Sequence, residues 1–299
     1  MRLDELPTSD RVEDRRSLPV GRAGGIGIGT VVVLALIGWA LGIDPATLIG
    51  GAEQMLPGVS QIQEQQVPTG ASSDEMGHFV SAILGSTEEV WTDVFAHAGK
   101  TYEPPTLVMF SGATQSGCGF AQAAMGPFYC PMDQKVYLDT SFFQDLERRF
   151  GACDIGSKTC QFAQAYVIAH EIGHHVQNQL GLLPQVQEAQ RAMAQAEANG
   201  LQVRVELQAD CLAGVWANRA QAKWQFIEPG DVEAAMQTAS AIGDDRLQRQ
   251  AQGYVVPDSF THGTSAQRTQ WFMTGLKWRC GELRHVSVSG ALISTASGF

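Results

Sequence analysis

The sequence predicts an α+β domain, a small sheet followed by mostly helices, preceded by one transmembrane helix. Three observations predict it. An uncharged stretch of 21 residues, AGGIGIGTVVVLALIGWALGI, runs from 23 to 43. Strand-like runs rich in Val, Leu, Tyr and Phe fall between 106 and 139. From Phe162 onward, apolar residues recur at three- and four-residue steps, the period of an amphipathic helix.

Composition narrows the function classes. The chain has 299 residues, enough for one or two domains with a large core. Its 44% apolar content is too high for a mostly disordered protein. With 20 Lys+Arg against 31 Asp+Glu, the net charge is -11 and there is no basic block. Neutralising phosphates needs clustered cations, so nucleic acid is not an expected partner. No repeating unit is present.

The elements follow in order. Residues 1–22 read as a cytoplasmic N-terminal segment and 23–43 as a transmembrane anchor, since about 20 apolar residues cross a bilayer. Arg15, Arg16 and Arg22 precede the apolar stretch and the next basic residue is Lys100. That asymmetry predicts a single-pass protein of the cell membrane, with its N-terminus cytoplasmic and its large domain extracytoplasmic, periplasmic or extracellular. A cleaved signal peptide fits less well, because the apolar stretch exceeds the usual 7–15 residues. Residues 44–73, rich in Gly, Pro, Ser and Gln, read as a flexible linker. The folded domain is expected over 74–299, opening on a helix capped by Asp74. A strand is expected at 106–111, and a hairpin joins 128–130 to 135–139. A short helix follows at 140–150. Longer helices are expected at 162–180, closed by Gly181, then at 184–200, at 202–223, after Pro229-Gly230, and at 264–277.

Six cysteines, an even number expected outside the cytoplasm, suggest disulfides. Nearest-neighbour pairing gives Cys118–Cys130 and Cys153–Cys160 and leaves Cys211 with Cys280. Buried free thiols are the other reading of the same residues.

Chemistry concentrates in His170-Glu171-Ile172-Gly173-His174. Residues i and i+4 of a helix share a face, so the two imidazoles can meet one Zn²⁺. Glu171 then stands beside the metal without ligating it, placed to take a proton from the water that zinc activates. His175, about 100° further round the helix, is a poorer ligand. A catalytic zinc needs a third protein ligand. The metzincin pattern requires Gly at 177 and His at 180, and the chain has Gln177 and Leu180. Glu206-Leu207-Gln208-Ala209-Asp210 supplies the other solution: Glu206 ligates, and Asp210 reaches the outer nitrogen of a ligating His. Alone, that pair reads first as two solvated acids on a helix surface. Inside the apolar run of Leu207, Leu212, Val215 and Trp216 it reads as part of a site.

Taken together, SDRVEDRR (9–16), GPFYCP (126–131), KVYLD (135–139), FAQAYVIAHEIGHHVQ (162–177), RVELQADCLAGVW (204–216), IGDDRLQ (242–248) and VPDSFTHGTSAQR (256–268) resemble the neutral zinc metallopeptidase family of bacteria, over nearly the whole chain. The resemblance implies a zincin-like metallopeptidase domain, distantly akin to gluzincins, and hydrolysis of peptide bonds. It also implies that His262 steadies the oxyanion, where the residues alone would allow a solvent-facing His before a helix cap. Arg268 would brace the site or pair with Asp244 or Asp245. Residues 136–138 would form an edge strand that receives extended substrate. The sequence thus reads as a membrane-anchored zinc metalloendopeptidase acting on a peptide or protein. The alternative is a non-enzymatic, zinc-containing envelope protein that binds or scaffolds.

Overall fold

A computed structural model of the chain describes residues 1–17, 69–70, 73–122, 126–143 and 158–277. Its first strand, β1 (Val12–Asp14), is followed by α1 (Glu75–His97), then by β2 (Thr106–Phe110), β3 (Ala113–Ser116), β4 (Gly119–Gln122), β5 (Phe128–Cys130) and β6 (Lys135–Asp139). Helices fill the rest: α2 (Lys158–Gln179), α3 (Leu182–Arg191), α4 (Gln195–Trp224), α5 (Asp231–Ala241), α6 (Asp244–Gln252) and α7 (Ser265–Leu276).

The main sheet has the order β1-β2-β6-β5. β1 and β6 run parallel to β2, and β5 runs antiparallel to β6. Side chains alternate across it with the period of two expected of a pleated strand. Leu107, Met109, Val136 and Leu138 join the main core with α1 and α2, whereas Val108, Phe110, Tyr137 and Cys130 form a second cluster with Ala121 of β4. The β3–β4 hairpin therefore covers the face that the helices leave open, and the Cys118–Cys130 disulfide ties it to β5. Cys160 and Cys211 are also disulfide-bonded. Their expected partners, Cys153 and Cys280, lie outside the described residues.

The predicted hairpin over 128–139 is present, as is the strand within 106–111. Residues 136–138, expected at an edge, lie between β2 and β5; the edges are β1, beside α1, and β5, beside α2. The Asp74 side chain caps α1 by accepting from the Gly77 N–H at 2.8 Å. Residues 141–143 begin a helical turn, and the remainder of the 140–150 helix lies outside the described residues. Gly200, read as a terminus, sits inside α4. Tertiary packing overrides its poor helix propensity: Leu201 and Val205 close a small core with Leu182 and Val186 of α3.

The expected membrane topology is overturned. No helix among the described residues is long and apolar enough to cross a membrane, and 23–43 lies outside them. Residues 1–16, expected across a membrane from the domain, belong to the same compact unit as the described residues from Thr69 onward. β1 is a strand of the domain's own sheet, with Val12 opposite Leu107. The Arg2 N–H donates to the Phe226 carbonyl at 2.9 Å. A membrane cannot separate hydrogen-bonded strands. Two of the three arginines taken as a topological signal serve the fold: Arg15 pairs with Glu13 at 2.6 Å, and Arg16 with Asp14 at 2.6 Å and Asp74 at 2.7 Å; Arg22 lies outside the described residues.

Candidate metal centre

α2 and α4 lie close enough that a methyl group on Gly173 would stand 3.0 Å from the Ala209 carbonyl oxygen. The glycine between the two motif histidines thus lets the helix carrying Glu206 approach. His170 Nε2 lies 3.2 Å and His174 Nε2 3.5 Å from the same oxygen, Glu206 Oε2. All three ligand atoms fall within 4.8 Å of one another. Donors sharing a tetrahedral zinc at 2.0–2.1 Å stand roughly 3.3 Å apart. The two imidazole–carboxylate spacings match that figure, and two imidazoles with a carboxylate fit the ion in donor chemistry.

Each of the three side chains is held from behind. His170 Nδ1 faces Asp210 Oδ1 at 2.9 Å, and His174 Nδ1 faces Gln177 Oε1 at 2.9 Å. Gln202 Nε2 donates to Glu206 Oε1 at 3.0 Å. Gln177 in turn donates to the Val205 carbonyl and to Gln208 Oε1, both at 2.8 Å. With its outer nitrogen so engaged, each imidazole turns Nε2 toward the shared point.

Asp210 is fully buried and accepts from three further donors: the Tyr166 hydroxyl at 2.5 Å, Arg268 Nε at 2.9 Å and Arg268 Nη2 at 3.0 Å. Arg268 was expected to brace the site or to meet Asp244 or Asp245. It meets Asp210. Asp245 instead binds the backbone N–H of Ser265 at 2.7 Å, at the start of α7.

The electrostatics favour positive charge at this point. Burial pushes the Glu206 carboxyl up, but His174 and His170 outweigh it and hold the group well below its usual range. Burial lowers His170, yet Asp210 and Glu206 lift it to about 10. His174 is lifted by Glu206 against the same desolvation. Burial raises Asp210, but Arg268 and His170 bring it down to about 2. Glu171 moves the other way: burial raises it, and the two histidines offset only part of that. A carboxylate with raised proton affinity beside a cation site is suited to take and return a proton.

Glu171, His262 and the three cluster residues line one cavity of about 480 Å³. Its walls are Gly126–Tyr129 on the β5 side, Leu183 and Val186 of α3, and Ile242 and Leu247. His262 sits on a loop organised by Asp244. Asp244 Oδ2 accepts the backbone N–H groups of Thr261, His262 and Gly263 at 2.8, 2.6 and 3.0 Å, and Oδ1 lies 3.4 Å from His262 Nδ1. The imidazole is half-exposed toward the cavity. His175 points away from it. Its Nδ1 meets the Tyr129 hydroxyl at 3.1 Å and its Nε2 the Glu103 carbonyl at 2.8 Å.

The sequence brought together His170, Glu171, His174, Glu206, Asp210 and His262. It missed Tyr166, Gln177 and Gln202. Helical spacing was signal enough for all three: Tyr166 is one turn before His170, Gln177 one turn after His174, and Gln202 one turn before Glu206.

The family model described as "putative neutral zinc metallopeptidase" matches residues 1–284. The uncharacterized protein YpfJ of Escherichia coli K12 is 46% identical over 288 residues, covering 92% of this chain and 94% of its own. The uncharacterized protein Rv2575 of Mycobacterium tuberculosis is 39% identical over 250 residues, covering 79% and 80%. No solved structure gives a significant match.

Proposed function

The chain belongs to that neutral zinc metallopeptidase family, and from this premise we propose that it is a zinc-dependent endopeptidase of zincin type. One observation carries the reading: the buried cluster of His170, His174 and Glu206, with Glu171 at its side in a cavity large enough for a peptide segment.

His170, His174 and Glu206 hold the ion, and Asp210 fixes the orientation of His170. Zinc bound there supplies Lewis acidity, making water nucleophilic near neutral pH and polarising a peptide carbonyl. Glu171 accepts the proton of the attacking water and delivers a proton to the leaving amine. His262, presented by the Asp244 loop, donates to the oxygen on which negative charge develops. β5 replaces 136–138 as the strand against which extended substrate lies, because it is an edge of the sheet among the described residues and its residues line the cavity.

An internal peptide bond is the target. Among the described lining residues, the Asp and Glu side chains are Glu171 and Glu206, and the Arg or Lys is Arg268, already bound to Asp210. An exopeptidase needs a spare charge for a chain terminus. The non-enzymatic reading gains no support, since a closed structural site wants four protein donors and the cluster among the described residues has three.

The test is to incubate the full chain with a peptide library blocked at both ends. Cleavage within the peptides that a zinc chelator abolishes and added zinc restores is expected. Failure to cleave any of them with one zinc bound per chain contradicts the proposal.

A further inference from the structure

Asp210 receives hydrogen bonds from three side chains, and only one of them is a cluster residue. The Arg268 fork spans both carboxylate oxygens, Nε to Oδ2 at 2.9 Å and Nη2 to Oδ1 at 3.0 Å. The Tyr166 hydroxyl donates to Oδ1 at 2.5 Å and accepts from Arg268 Nη2 at 3.2 Å. Arg268 Nη1 is anchored on the Ile242 carbonyl at 3.3 Å. A lone aspartate could rotate about its last torsion. Here both oxygens are pinned, and Oδ1 is left facing His170 Nδ1.

The helix that delivers Arg268 is itself fixed. α7 abuts α4 with no room for side chains: a methyl on Gly214 would run into the Phe272 carbonyl, and one on Gly275 into the Cys211 carbonyl. Arg268 is 3% exposed, so its charge is compensated by Asp210 rather than by water. The Tyr166 ring packs edge-on against Phe272 of α7, with centroids 5.2 Å apart. What orients Asp210 therefore comes from α2 and α7, and a carboxylate so held sets the tautomer and tilt of the imidazole it binds.

We infer that Arg268 and Tyr166 are positioning residues of the metal centre, acting on His170 through Asp210, and that α7 is its third helix beside α2 and α4. The inference rests on the zinc-peptidase reading and extends it to two residues outside the ligand set of His170, His174 and Glu206.

The test measures zinc affinity of the full chain by competition with a chromophoric chelator, and the visible absorption of the cobalt-substituted protein. It needs no peptidase assay. Tyr166→Phe removes one hydroxyl. Arg268→Lys keeps the charge and loses the fork. Each is expected to raise the zinc Kd about tenfold or more while one ion per chain is retained, and to shift the cobalt bands. Trp216→Phe loosens the stacking of α4 on Phe162 of α2 without touching Asp210, and should leave both readouts unchanged. A folded Tyr166→Phe protein with unaltered Kd and cobalt spectrum overturns the inference, and so does an equal loss in Trp216→Phe. If Arg268→Lys does not fold, Tyr166→Phe decides. An unaltered chain that binds no zinc overturns both this inference and the reading beneath it; zinc bound equally well by all variants overturns this inference alone.

Discussion

His174 and His175 are consecutive residues of α2 with opposite chemistry. His174 turns to the cavity, where burial lowers its proton affinity and Glu206 more than restores it. His175 turns to the sheet, where burial pushes it down to about 4 and the Glu103 carbonyl offsets only part of that. A helix rotates about 100° per residue, so one step carries the ring from a carboxylate to a phenol and a backbone oxygen. Two histidines in one helical turn need not share a role. The partner on the opposing element decides whether an imidazole is built to meet a cation or to stay neutral in a core.

The largest expected effect breaks the pair apart. His174→Ala should abolish stoichiometric zinc binding and, with it, peptide hydrolysis. His175→Ala should retain one zinc per chain and lower the thermal midpoint instead. Metal analysis beside a melting curve checks both; zinc lost equally from the two variants would erase the distinction.

The pH dependence of stability sharpens it. His175 is held neutral, so it contributes stability above its unfolded value of about 6.5. That contribution is lost as pH falls toward 4, by up to about 3 kcal/mol. His170 has the opposite sign in the metal-free protein. Lifted to about 10, it stabilises fully below 6.5, and that contribution is lost as pH rises through 10. Denaturant titrations of the metal-free chain at several pH values should show the acid limb flattened in His175→Gln and the alkaline limb unchanged.

On the cavity side, His262→Ala should lower kcat about a hundredfold with zinc content unchanged, the usual cost of removing one donor to a developing oxyanion. The smallest effect contrasts two glycines. Gly200 lies in α4 with open space where a methyl would go, so Gly200→Ala should stabilise by about 1 kcal/mol in denaturant unfolding. At Gly173 the same change meets the Ala209 backbone, and should both destabilise and weaken zinc binding.

The legibility of these regions in the sequence follows the same divide. His170, Glu171 and His174 are fixed by spacing within one helix, and Glu206 with Asp210 by spacing within another. The Arg268–Asp210 pair joins residues 58 apart, and no helical period predicts a tertiary pairing. β1 was missed because Val12-Glu13-Asp14 is short and charged, and only its place beside β2 makes it a strand. Arg15 and Arg16, which mimic a membrane flank, form ion pairs at that strand. β5, three residues long and bounded by Pro127 and Pro131, was read as half of a hairpin; its position at the sheet edge depends on β2 lying on the other side of β6.

The central claim is that Glu171 moves the proton while His170, His174 and Glu206 hold the ion. Glu171→Gln separates these roles, because the amide keeps the shape and loses the base. Zinc content and hydrolysis of an internally cleaved peptide, measured on the same sample, test it most directly. The account predicts one zinc per chain, as in the unaltered protein, with kcat lowered by about 10²–10⁴-fold. Unchanged hydrolysis at full zinc content would contradict it.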